Sequence, residues 1–66
     1  MIGATSATTG SVLFELVSSS EGFLLPRVTE AARNSMTGVA GLLVYQTDND
    51  EGLYIYKTTV GWVQII

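Results

Sequence analysis

A chain of 66 residues without cysteine or histidine has room for one domain only, and neither disulfides nor the common zinc sites can stabilise it. Its residues are 47% hydrophobic and only 14% charged, so a single small particle would leave much apolar side chain exposed, which favours a homo-oligomer. The net charge of -3 and the scattered basic residues argue against nucleic acid, and no apolar run approaches the ~20 residues of a membrane-spanning helix.

The chain is predicted to consist of a linker and one small module. Residues 1–10 are rich in Ser, Thr and Gly and have neither a basic nor a long apolar region, which indicates a flexible linker rather than a signal peptide. Residues 11–66 then form the module. Its first element is predicted over residues 11–17, "SVLFELV", where every second residue can share a face as in a β-strand.

Residues 23–28, "FLLPRV", are predicted to form an extended arm. Pro26 fixes its own φ near -65° and restricts Leu25 to extended backbone. Because proline has no N–H for a central ladder position, the arm is expected at a sheet edge or across another surface.

Arg27 stands at the end of this apolar run, in a chain with three basic residues. A guanidinium beside apolar side chains ordinarily needs a fixed partner. The favoured interpretation is a structural ion pair between Arg27 and the carboxylate of Glu15, of Glu30 or of a neighbouring chain. The alternative is a surface site that binds an anion.

A short helix is predicted to follow the arm. Thr29 suits the N-cap, and Glu30 lies in the first turn, where the helix dipole favours an acid. Gly38 is the expected C-terminal cap. Ala32 and Met36, four residues apart, are expected on the packed face because so short a helix is not stable alone.

The last third of the chain predicts a three-stranded antiparallel meander. The β-rich runs cover residues 41–47, 53–57 and 62–66, and the segments 48–52 and 58–61 between them have turn composition. The predicted fold class is therefore mainly β with one short helix, a small α+β module.

The order of these pieces resembles a known family. The succession "SVLFELVSSSEGFLLPRVTEAARNSM", then "GLLVYQTDN", a Tyr-rich strand and a Gly-Trp pair is similar to a module of phage tail and head fibre proteins and of related surface proteins of Bacteroidetes-type bacteria. The most specific part is G-F-L-x-P-R-x-T, present at residues 22–29; Leu25 stands where the family often has a second proline. The resemblance implies a non-enzymatic, homotrimeric module of a virion fibre or extracellular appendage, joined to further fibre domains.

The predicted mechanism is completion of an apolar core between three chains, so that folding and assembly are one event. The side chains expected at this interface come from the arm and the meander: Phe23, Leu24, Leu25, Pro26, Val28, Leu42, Val44, Leu53, Ile55 and Val63.

Parts of the sequence also suggest other functions. Tyr54, Tyr56 and Trp62 are the candidates for contact with a host surface glycan at a receptor-binding tip, although packing is the favoured interpretation of these rings. The acidic segment 48–52 lacks the glycine and glutamate positions of a calcium loop, so it is interpreted as a plain turn. No metal, cofactor or catalytic residue is predicted, since Lys57 would be the sole base available to a serine nucleophile.

Overall fold

A computed structural model describes residues 10–66, so the predicted linker lies outside the described residues except for Gly10. The elements are, in chain order, β1 (Arg27–Val28), α1 (Glu30–Asn34), β2 (Leu43–Gln46), β3 (Gly52–Lys57) and β4 (Gly61–Gln64). The strands form one sheet in the order β1-β2-β3-β4, antiparallel from β2 to β4. The predicted class and the C-terminal meander are confirmed. The described helix is too short to cross a membrane.

The predicted strand over residues 11–17 is not a strand in the structure. Leu16 forms one isolated bridge, and the other residues of this segment are in irregular or turn conformation. An alternating sequence becomes a strand only where a neighbouring backbone accepts and donates its hydrogen bonds. The described part of a single chain provides that pairing at one position.

The arm ends in an edge strand, as Pro26 predicted. β1 pairs in parallel with β2. The Tyr45 N–H donates to the Pro26 carbonyl at 2.9 Å, and the Thr47 N–H donates to the Val28 carbonyl at 2.8 Å. Pro26 thus contributes an acceptor to the ladder without needing a donor, which is how proline is accommodated at a sheet edge. The helix α1 lies on the connection from β1 to β2.

The helix begins where predicted and ends earlier. The Thr29 hydroxyl accepts from the Ala32 N–H at 3.2 Å, which confirms the N-cap. Ser35, rather than Gly38, is the C-cap, and its hydroxyl donates to the Ala32 carbonyl at 2.9 Å. Gly38 has a packing role instead, since a side chain there would run into the ring of Tyr56.

Strand register divides the sheet into two faces. Val44 lies opposite Tyr54, and Leu43 lies opposite Ile55. The helix face, which α1 covers in part, carries the side chains of Val44, Gln46, Tyr54, Tyr56, Trp62 and Gln64. The other face, called the aliphatic face below, carries Leu43, Leu53, Ile55 and Val63.

This register corrects the predicted interface set. Val44 was grouped with Leu53 and Ile55, but it lies on the helix face and is only 2% exposed in the single chain. Its burial therefore does not depend on assembly. Leu43 takes its place on the aliphatic face, where it is 38% exposed. Leu43 and Val44 are both apolar, so the sequence alone does not show which of them lies on the aliphatic face. The strand register, with Gln46 opposite Gly52, decides it.

Candidate functional site

The described chain buries very little apolar side chain. Within residues 10–66, Val44 and Tyr54 are the buried hydrophobic residues. Large hydrophobic side chains that remain exposed are Leu13, Phe14, Leu16, Val17, Phe23, Leu24, Val39, Leu43, Val60, Ile65 and Ile66. A surface of this kind marks an interface, because water is a poor solvent for so many neighbouring apolar groups.

The arm and the aliphatic face form adjoining parts of that surface. Phe23 and Leu24 are 63% and 71% exposed. They line a groove of about 170 Å³ together with Leu25, Arg27 and Tyr45. Tyr45 pairs with Leu53 in the sheet, so the groove borders the aliphatic face directly. Phe23, Leu24 and Leu25 of the arm thus lie close to Leu53 of the meander. Val28 pairs with Gln46, so it lies with Val44 on the helix face. Leu42 is half-buried beside the start of β2.

The helix is held on the sheet by hydrogen bonds of the buried side chains of Gln46 and Arg33, called the polar centre below, rather than by apolar packing. Gln46 is fully buried, and its Oε1 accepts from Nε of Arg33 at 2.6 Å. Its Nε2 donates to the carbonyl of Asp48 at 2.8 Å. Arg33 is itself only 8% exposed. These contacts tie α1 to β2 and to the following turn.

Arg33, not the predicted Ala32, is the packed residue of the helix. Its guanidinium lies 4.3 Å from the ring centre of Tyr54 and 5.6 Å from that of Trp62, within the range of cation–π attraction. Ala32 is exposed and Met36 is half-buried. The signal that could have identified Arg33 is the strand that carries Tyr at every second position, because an aromatic strip suits a guanidinium better than an alanine.

Glu30, one of the predicted partners of Arg27, contacts Arg33 in the described chain. Glu30 Oε2 lies 4.0 Å from a terminal nitrogen of Arg33, three residues along the same helix. Glu30 also accepts from the Asn49 side-chain amide at 2.8 Å. Arg27, on β1, is exposed and borders the groove. Pairing of Arg27 with Glu15, with Glu30 or with an acid of a neighbouring chain stays a prediction.

The acidic segment 48–52 forms a closed turn. Asn49 has a φ of 53°, the left-handed conformation that asparagine tolerates. The Asp48 carboxylate accepts from the Glu30 N–H at 2.8 Å, and the Asp50 carbonyl accepts from the Tyr54 hydroxyl at 2.7 Å. Over residues 10–66 no group of three acidic side chains is placed to hold a metal ion.

One carboxylate of this turn perturbs a tyrosine on the other face of the sheet. The Tyr45 hydroxyl donates to Glu51 Oε2 at 2.7 Å. The hydrogen bond to Glu51, together with desolvation and the negative charge of Glu51, raises the pKa of Tyr45 above its ordinary value of 10.0. The bond fixes the tyrosine ring at the border between groove and aliphatic face.

The aromatic residues considered for glycan contact are mainly packed. Tyr54 is 7% exposed, under Arg33, so its ring offers no surface for a sugar to stack on in the single chain. Tyr56 and Trp62 are half-buried and meet edge to face, with ring centres 5.4 Å apart. Glycan contact through Tyr56 and Trp62 stays a prediction.

Comparison with known proteins agrees with the character of this surface. No curated protein and no solved structure gives a significant match to the chain. The model of one family, described as the phage tail like trimerisation region, matches residues 1–66. The resemblance to a trimeric phage fibre module is thereby confirmed, and with it self-association into a trimer. This chain belongs to the phage tail like trimerisation region family.

Proposed function

We propose that this chain is a structural, non-enzymatic module of a phage or phage-like fibre in which three copies complete one apolar core and fold as they assemble. The observation that carries the proposal is the composition of the single-chain core. Val44 and Tyr54 are its buried apolar side chains within residues 10–66, while the arm and the aliphatic face remain partly or largely exposed. So small a core does not ordinarily sustain a folded domain of this size.

The energetics favour assembly through the arm and the aliphatic face. Full burial of a Leu, Ile, Val or Phe side chain contributes ~1.5 to 3 kcal/mol relative to exposure. Association costs roughly 4 to 15 kcal/mol in lost freedom of motion. Several such side chains from each chain therefore outweigh the cost. They are Phe23, Leu24, Leu25, Pro26, Leu43, Leu53, Ile55 and Val63. Leu42, and Val28 on the helix face, lie at the margin of this set.

Coupling of folding to assembly follows from the same numbers. A monomer would retain the polar centre at Gln46 but would expose the aliphatic face to water. The net stability of a domain is only ~5 to 15 kcal/mol, so loss of several buried side chains removes most of it. The stability of such a protein depends on chain concentration.

The first test is the mass in solution by light scattering after size exclusion, measured across a dilution series. One chain has a mass of 7.0 kDa, so the trimer is expected at 3 × 7.0 = 21 kDa. Circular dichroism on the same samples should show that structure is lost as the mass falls. A folded monomer at the lowest concentration would contradict the coupling, and a folded monomer at every concentration would overturn the proposed function.

A variant pair tests the assembly surface itself. Leu43→Asp places a charge on the aliphatic face. We expect the dissociation constant of the trimer to increase by about 100-fold or more, because an unpaired charge buried between chains costs several kcal/mol. Thr37→Asp, which places the same charge on the exposed connection between α1 and β2, is the control and should leave the trimer mass unchanged. Equal effects of the two changes would argue against the aliphatic face as the interface.

A further inference from the structure

The N-terminal part of the module has the sequence of a strand but forms a single bridge within the described residues 10–66. In residues 11–17 every position except Ser11 and Glu15 is apolar. Leu13 is 96% exposed and Phe14 is 57% exposed, and Leu16 forms a single isolated bridge. Exposure of so many apolar side chains in a strand-forming segment is costly unless another chain covers them.

The two edges of the sheet differ in their capacity to accept such a segment. β1 is two residues long, follows Pro26 and carries the charged Arg27, and each of these features opposes the addition of a strand. β4 has the sequence GWVQ and is followed by Ile65 and Ile66. It lies at the other edge of the sheet and contains neither proline nor charge. The outer backbone of β4 is therefore the available template.

Threefold symmetry requires such a pair of unlike surfaces. In a closed cyclic trimer each interface is heterologous, so every chain presents one surface to the chain before it and a different surface to the chain after it. A strand donor at one end of the module and an acceptor edge at the other satisfy this requirement for all three chains at once.

We infer that residues 11–17 of each chain pair with the outer edge of β4 of the next chain around the trimer, adding a strand to its sheet. This inference rests on the proposed trimeric assembly. Main-chain hydrogen bonds of this kind provide affinity, while alternate side chains provide specificity. The assembly is then held by exchanged strands as well as by the apolar surface.

The alternation of the segment fixes which side of it faces inward. Leu13, Glu15 and Val17 form the more polar side of the segment, so this side is matched with the side of the sheet that carries Gln64. The even-numbered side chains then continue the aliphatic face next to Val63. They are Val12, Phe14 and Leu16. Leu13 and Val17 lie on the same side as Glu15.

Disulfide cross-linking tests this pairing cleanly, because the chain has no cysteine of its own. A chain with Val63→Cys is co-refolded with a tagged chain that has Phe14→Cys, and then with chains that have Val12→Cys or Leu16→Cys. Disulfides form only where Cα atoms are ~4.4 to 6.8 Å apart. We expect a mixed covalent dimer of about 2 × 7.0 = 14 kDa plus the tag for at least one even position. The tag separates mixed from self-paired species.

The matched control is Leu13→Cys, an apolar and fully accessible neighbour on the opposite side of the segment. Its cross-linking yield with Val63→Cys should be several-fold lower. A trimer of 21 kDa, three times 7.0 kDa, that gives no mixed dimer at any even position, or equal yields at even and odd positions, would overturn strand exchange but leave the proposed function intact. A wild-type monomer would overturn both.

Hydrogen exchange of the unmodified trimer provides a second readout if the cysteine variants fail to assemble. Amides within residues 12–16 should be protected in the trimer, and the protection should disappear on dilution below the dissociation concentration. Fast exchange of all of these amides in an intact trimer would contradict the pairing.

Discussion

Replacement of Arg33 is the sharpest perturbation of the polar centre. Arg33→Met keeps a long side chain of helical propensity but removes the donor to Gln46 and the cation above Tyr54. A buried acceptor left without its partner costs ~1 to 3 kcal/mol, and loss of the cation–π contact costs ~0.5 to 2 kcal/mol. The contact with Glu30, at 4.0 Å and partly exposed, adds little. The expected destabilisation is roughly 2 to 5 kcal/mol.

The measurement is chemical unfolding at one fixed chain concentration, since trimer stability varies with concentration. Lys57→Met is the control, because Lys57 is exposed at the end of β3, and its effect should stay within ~0.5 kcal/mol. The double variant Arg33→Met with Gln46→Leu removes both polar partners together. We expect it to recover part of the loss, since the buried Oε1 of Gln46 is no longer left without its donor, while the Asp48 carbonyl loses the donation from Nε2.

Two results would refute this reasoning. An effect of Arg33→Met no larger than that of Lys57→Met would mean that the polar centre does not stabilise the fold. A double variant whose loss equals the sum of the single losses would mean that Arg33 and Gln46 act independently, contrary to their contact at 2.6 Å.

Two further predictions concern the turns of the meander. Gly52→Ala should lower the free energy of unfolding by ~1 to 3 kcal/mol, because the added methyl group would collide with the Ile66 carbonyl. The control is Gly22→Ala, in open space, which should change the free energy of unfolding by less than ~0.5 kcal/mol. Thermal unfolding compares the two variants. The raised pKa of Tyr45 favours its neutral phenol, so the contribution of the bond to Glu51 is complete below the unfolded pKa of about 10 and is lost as pH rises through the higher folded pKa. Absorbance titration should show that Glu51→Ala lowers the pKa of Tyr45, and an unchanged titration curve would contradict the assignment.

Local signals in the sequence were sufficient for most secondary structure. The meander follows from alternation and from turn residues such as Asn49 and Gly61, both of which have positive φ in the structure. The N-cap at Thr29 was equally predictable, because its hydroxyl bonds to an amide three residues away. Features of this kind depend on neighbours in the chain, which a sequence pattern records directly.

Features that depend on distant residues were not predictable in the same way. Leu43 and Val44 are equally apolar, so their assignment to opposite faces requires the strand register. The burial of Arg33 depends on Gln46, thirteen residues away along the chain. Residues 11–17 have a strand pattern, but a pattern cannot say whether the pairing backbone belongs to the same chain.

The distribution of polar and apolar groups explains how a chain with so small a core can present a defined surface. Hydrogen bonds at Gln46 are directional, so they fix the position of α1 on the sheet while few apolar side chains are buried there. Apolar packing tolerates many arrangements, whereas a satisfied polar centre tolerates few. In the proposed trimer the helix face therefore determines the shape of each chain, and the aliphatic face is available to its partners. We expect that a chain with the reverse arrangement, an apolar centre and a polar outer face, would be a stable monomer that does not trimerise.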